Sequence, residues 1–221
     1  MADRVFEDRL GLWIGSPGSL VDRLPRIRSF GGGIIRDLFL PRTAPPSLFG
    51  AVRKVGLFAH LYTTPDGLSA IIYAHRTLDD IARLQPGACD LNVELAADPP
   101  LAAYVETAVR LIRATRPAYR LRVNLAPWKG FAVPAALLAA DPALYACEQN
   151  YLGNMAELLS PADVLADLIA HGCPASKATV CYAAACQVLG SPERLRTLPD
   201  LSRTRRGVIF TEDLMAEAGL L

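Results

Sequence analysis

The sequence predicts an α/β fold, a small (β/α)8 barrel in which eight parallel strands alternate with helices. Short apolar segments bounded by turn or capping residues recur eight times, and they begin roughly 22 to 36 residues apart. Helix-like stretches fall between them, and no hairpin signal joins neighbouring segments. Because crossovers between parallel strands are right-handed, consecutive strands lie side by side, and eight of them close most economically into a barrel.

The eight candidate strands share short length and apolar character. They are Gly11–Gly15, Gly33–Phe39, Val55–Tyr62, Leu91–Leu95, Leu121–Ala126, Leu144–Asn150, Thr179–Ala183 and Gly207–Thr211.

The intervening segments carry helix signals. Pro99–Thr115 has apolar residues three and four apart, and Ser160 with Pro161 opens a helix that ends near Ala170. A shorter helix is predicted from Thr77 to Leu84, and the helix around Pro45–Lys54 is expected to be shortened. An open doubly wound sheet is the alternative, but no glycine-rich phosphate loop follows an early strand.

Composition limits the function classes. The 221 residues carry 23 basic and 22 acidic side chains, so a net charge of +1 gives no reason to expect nucleic-acid binding. No apolar run reaches the roughly 20 residues of a membrane span. Five cysteines without a secretory signal predict mostly buried, reduced thiols made in a cytosol, and no metal or cofactor site is expected. Residues 1–10 are predicted to form an arm that contacts a neighbouring subunit, and residues 11–221 a single barrel domain.

Polar residues near the strand ends are the candidate site, because active sites of such barrels lie at the C-terminal ends of the strands. A period of two places Asn92 with Glu94, and Arg122 with Asn124, on faces opposite to leucine and valine. Since the helix-covered outside must be apolar, these polar side chains should point into the barrel. Further candidates for substrate binding on strands three, six and seven are His60, Tyr62, Glu148 with Asn150 (or Gln149 with Cys147), and Tyr182.

Glycoside hydrolysis needs two carboxylates across a sugar-sized cleft. Glu94 is the best single acid, and Glu148 is the possible second one. A structural alternative stands beside this interpretation: Arg122 between Glu94 and Glu148 could form a buried ion-pair network, and His60 could be a hydrogen-bonded core histidine. Trp13 and Trp128 could stack on a sugar ring or simply pack.

The segments VGLFAHLYTTPDG, LNVELAADPPLAAYVETAVRLIRATRP and RLRVNLAPW resemble the family 25 glycoside hydrolases, the lysozyme-like barrels of phages and bacteria. The similarity covers roughly residues 10 to 190. It implies a barrel whose fourth strand carries D-x-E, with the glutamate as general acid. Glu94 matches that glutamate, whereas Asn92 replaces the aspartate and GLWIGS lacks the aspartate of strand one.

Loss of these acids favours a degenerate hydrolase-like barrel that is structural or binds cell-wall glycan. The resemblance implies a phage virion or minor tail protein, made in the host cytoplasm and assembled with other tail subunits into an oligomer. The alternatives are an active cell-wall glycosidase with Glu94 as acid, and a cytoplasmic barrel enzyme that acts on a small metabolite.

Overall fold

Eight parallel strands form a closed barrel in the computed structural model of the chain. The structure describes residues 10–15, 17–30, 33, 35–93, 101–125, 133–150, 161–183 and 207–210. The strands follow one another in chain order, and β1 pairs with both β2 and β8. Closure confirms the predicted (β/α)8 barrel and excludes the open doubly wound alternative.

The elements alternate from strand to helix along the chain. The strands are β1 (Leu10–Trp13), β2 (Ile35–Pro41), β3 (Phe58–Thr63), β4 (Cys89–Asn92), β5 (Leu121–Leu125), β6 (Leu144–Asn150), β7 (Ala178–Ala183) and β8 (Gly207–Phe210). The helices are α1 (Leu20–Ser29), α2 (Pro46–Lys54), α3 (Ala70–Leu84), α4 (Leu101–Thr115), α5 (Ala135–Ala140) and α6 (Pro161–Ala170), with short 3₁₀ turns at Pro17–Ser19 and Ala175–Lys177. Each predicted strand overlaps an observed one, with ends that differ by a few residues at most.

Helix α3 corrects one prediction. The helix expected from Thr77 begins at Ala70, because the Ser69 hydroxyl accepts a hydrogen bond from the Ile72 N–H at 3.4 Å and caps the first turn. Thr77 is buried in the middle of this helix and caps nothing. Helix α2 has nine residues, which agrees with the short helix predicted around Pro45–Lys54.

Side chains alternate between two apolar regions. Leu91, Val93 and Val123 belong to the large cluster between the strands and the helices, where they meet residues such as Val105 and Ile112 of α4. This confirms that the leucine and valine face of β4 and β5 points outward. The polar residues between them therefore point into the barrel.

Some predictions concern residues outside the described ones. The arm 1–10 is among them, except that Leu10 begins β1. Among the described cysteines, Cys89, Cys147 and Cys173 are buried free thiols. No helix in the described part of the chain is both long and apolar enough to cross a membrane.

Candidate functional site

The barrel interior brings together side chains from strands that are not neighbours. Trp13 of β1, Phe39 of β2 and Cys147 of β6 form one buried cluster with Ala88, which precedes β4. Strands β2 and β6 lie on different sides of the closed sheet, so such side chains can meet only across the interior. This cluster identifies which face of each strand points inward.

A buried ion pair crosses from β4 to β5. Arg122 donates to both carboxylate oxygens of Asp90, at 3.2 Å from Nε and 2.5 Å from Nη2, and the guanidinium lies 4.5 Å from the centre of the Phe39 ring. The two residues are in register, and both side chains are almost completely buried. The buried ion-pair network expected around Arg122 therefore has Asp90 as a partner, whereas Glu94, one of the two partners expected from the sequence, lies outside the described residues. The sequence could have identified Asp90 as an inward-facing residue, since it precedes Asn92 by two positions on the same face of β4.

A second buried pair lies on β2 and β3. Nε2 of His60 is 2.7 Å from Oδ1 of Asp37, and the His60 ring stacks on Phe39 with centroids 4.9 Å apart. Both residues are buried. His60 is thus placed as a core histidine with a carboxylate partner, the structural alternative raised by the sequence.

Two amides occupy the interior at the C-terminal ends of β4 and β5. Asn92 and Asn124 are in register, and they are 4% and 0% exposed. Neither Oδ1 nor Nδ2 of Asn124 has a hydrogen-bond partner, although both atoms are buried. The structure therefore brings together two predicted binding residues and leaves one of them with unused donors and acceptors.

Glu148 lies on the other face of the sheet. It shares the side of β6 with Leu144 and Ala146, which pack in the outer cluster, whereas Cys147 points into the barrel. Burial raises the pKa of Glu148 to about 7, the nearby Asp167 of α6 adds to this rise, and His171 opposes it. Glu148 therefore faces α6 and is separated from Asn92 and Asn124 by the sheet.

The aromatic candidates pack on each other. The rings of Trp13 and Tyr62 stack in parallel with centroids 4.9 Å apart, and Trp13 is 2% exposed. The Tyr62 hydroxyl donates to the carbonyl of Ile14 at 3.4 Å, and burial raises the pKa of Tyr62. For Trp13, packing within the protein is what the structure shows.

Several predicted site residues fall outside what the structure describes. They are Glu94 and Trp128, and also the side chains of Gln149, Asn150 and Tyr182 on β6 and β7. Within the described residues, no group of three or more His, Cys, Asp or Glu side chains could hold a metal ion.

The same fold occurs in carbohydrate-related proteins. The chain is similar to the catalytic domain of a hyperthermophilic chitinase from Pyrococcus furiosus, with 10% identity and a TM-score of 0.61 over 92% of this chain and 83% of that one. It is also similar to the xylanase-α-amylase inhibitor protein XAIP-I, solved with trehalose, with 9% identity and a TM-score of 0.63 over 96% of both chains.

A third similar structure is a chitinase-like agglutinin from Robinia pseudoacacia, with 14% identity and a TM-score of 0.53 over 79% of this chain and 69% of that one. The sequence matches no protein-family model and no curated protein sequence. At these identities the similarities establish the barrel fold and nothing finer.

Proposed function

We propose that this protein binds a cell-surface glycan at the C-terminal ends of its strands without hydrolysing it. The observation that carries the proposal is the chemistry of the inward-facing polar residues. At the ends of β4 and β5 these are the amides of Asn92 and Asn124, which can accept and donate hydrogen bonds to sugar hydroxyl or acetamido groups. The agglutinin and the inhibitor solved with trehalose are neighbours that share this barrel, which supports a binding role.

The described carboxylates do not form a catalytic pair. Asp90 is held by Arg122, Asp37 is held by His60, and Glu148 lies on the outer face. An amide at Asn92 neither ionises nor acts as a nucleophile. Because each acid or base role contributes about 10²- to 10⁴-fold to the rate, a barrel without the pair is expected to bind a glycan far better than it cleaves one.

Co-sedimentation with insoluble peptidoglycan and chitin tests this proposal. The wild type should be retained, and Asn92→Ala should weaken binding by roughly tenfold because it removes an amide from the site. Thr77→Val is the matched control, since Thr77 is buried in α3, away from the barrel interior. Lack of retention on every glycan would overturn the proposal.

An active glycosidase is the second candidate. It is favoured by Glu94, which follows Asn92 by two positions, and by the chitinase among the similar structures. Some glycoside hydrolases use a group of the substrate in place of the second carboxylate, so one acid can suffice. Release of reducing ends that disappears in Glu94→Gln, in the same glycan assay, would establish this candidate and refute a purely binding role.

The finer expectations stay predictions. The resemblance of the sequence to the family 25 glycoside hydrolases is the basis of three of them. These are membership in that family, a place in a phage tail, and contacts of residues 1–10 with other subunits. A cytoplasmic enzyme that acts on a small metabolite also stays an alternative.

A further inference from the structure

Among the described residues, the side chain of Asn124 leaves two buried polar atoms unsatisfied, whereas Thr77 and Glu148 each leave one. Asn124 is 0% exposed, yet neither its carbonyl oxygen nor its amide nitrogen has a hydrogen-bond partner. In folded proteins the large majority of buried side-chain polar atoms are bonded, because an unmade bond leaves the desolvation of the group uncompensated. An amide with both atoms unsatisfied therefore needs an explanation.

Its neighbours show that the interior can satisfy polar groups. Arg122, two residues earlier on the same face of β5, makes two hydrogen bonds to Asp90. His60 and Asp37 are joined in the same interior by a hydrogen bond between Nε2 and Oδ1. The unsatisfied amide is thus a local feature of the upper end of β5, beside Asn92 of β4 and Cys147 of β6.

This position is the one at which a barrel of this type contacts a ligand. Asn124 is the next-to-last residue of β5 and points inward, and the strand ends form the functional face of the fold. Buried polar groups that are left unsatisfied at such a face cost stability, and proteins keep such costs mainly where function requires them. The geometry points to a ligand group that completes the hydrogen bonds of Asn124.

The chemistry of the side chain narrows that group. An amide presents an acceptor and a donor side by side in one plane, so its best complement is another amide, which offers a donor and an acceptor in the same way. Among single sugar substituents this describes the acetamido group, whereas hydroxyls match both atoms only as a pair on adjacent carbons. We propose that Asn124 is a specificity-determining residue that selects glycans bearing an acetamido group, an inference that rests on the proposed glycan binding.

Calorimetric titration with two matched ligands tests the inference. Tetrasaccharides of β-1,4-linked N-acetylglucosamine and of β-1,4-linked glucose differ at each ring in carrying an acetamido or a hydroxyl group. The wild type should prefer the acetamido ligand by at least about tenfold. Asn124→Leu should weaken binding of that ligand by roughly 10- to 100-fold and leave the glucose ligand within about threefold. Asn124→Ala serves as a second variant if leucine does not fit.

Thermal unfolding of the Asn124 variants distinguishes a ligand-binding role from a structural one. If Asn124 stabilised the barrel, its replacement would lower Tm. Replacing an unsatisfied amide by an apolar side chain of similar shape should raise Tm by about 2–8 °C in the absence of ligand. Thr77→Val should leave both ligand affinities unchanged, because Thr77 lies in α3.

The outcomes separate the two proposals. Binding of neither tetrasaccharide, nor of any other glycan, overturns glycan binding and this inference with it. Binding that shows no acetamido preference, or a preference that survives in both Asn124 variants, overturns the role of Asn124 alone. A lower Tm in Asn124→Leu and Asn124→Ala together with unchanged selectivity would assign Asn124 to the structure of the barrel.

Discussion

Replacing Glu148 by glutamine should make the protein more stable at alkaline pH. Glu148 is 5% exposed on the outer face of β6, and its Oε2 has no hydrogen-bond partner. Burial, with help from Asp167, raises its pKa from the ordinary 4.5 to about 7. The charged groups that influence it are Asp167 of α6 and His171 directly after α6, and Lys177 precedes the adjacent strand β7.

Proton linkage determines whether Glu148 makes the protein more or less stable as pH rises. Between pH 4.5 and pH 7 the folded state holds the proton on Glu148 while the unfolded state has released it, so stability falls as pH rises. The contribution is complete below pH 4.5 and is lost as pH rises through 7. An interval of about 2.5 pH units, at about 1.4 kcal/mol per unit, corresponds to about 3.5 kcal/mol at pH 8. Glutamine keeps the shape of the protonated acid and does not ionise.

Urea unfolding of the wild type and Glu148→Gln at pH 5 and pH 8 measures this effect. The free energy of unfolding of the variant should exceed that of the wild type by about 3.5 kcal/mol at pH 8, or about 7–14 °C in Tm, and by about 1 kcal/mol or less at pH 5. When Glu148 is kept, Asp167→Asn should move the loss of stability to lower pH, because it removes a negative charge that raises the pKa of Glu148. Equal differences between variant and wild type at both pH values would refute the reasoning.

Two further predictions concern stability. Arg122→Met leaves the carboxylate of Asp90 buried without its partner, so it should cost about 3–5 kcal/mol in urea unfolding; the double variant with Asp90→Leu should lose less, and equal losses would contradict a charge effect. Ser69→Ala removes the cap of α3 and should cost about 1 kcal/mol, whereas Ser69→Asp should retain most of the stability in thermal unfolding; equal losses would argue against capping.

The barrel could be predicted because its pattern is local and repeated. Eight apolar segments at helix-plus-loop spacing needed no tertiary information, and the alternation in LNVEL and LRVNL identified the inward face of β4 and β5. The start of α3 was missed because Ser69 is followed by a short apolar stretch, which does not by itself indicate a helix, and because Thr77 with Asp80 resembles a helix cap. The hydrogen bond from the Ile72 N–H to the Ser69 hydroxyl shows that Ser69, and not Thr77, caps the helix.

The site was less predictable, because neighbours across a barrel are not neighbours in sequence. The segment LYACEQN has no strict alternation, so the sequence left open whether Glu148 or Cys147 points inward. The contact of Cys147 with Trp13 and Phe39 across the barrel decides this, and it turns Glu148 toward α6. Likewise, the register of β4 and β5 pairs Arg122 with Asp90.

The sequence by itself determined the number of strands, their order and the polar face of β4 and β5, because these follow from periodicity along one chain. The tertiary structure alone decided which charges are paired, which face of β6 is inside, and that Asn124 stays unsatisfied while Asp90 does not. Those properties depend on the stagger and closure of the sheet, which set distances between strands and appear in no single segment.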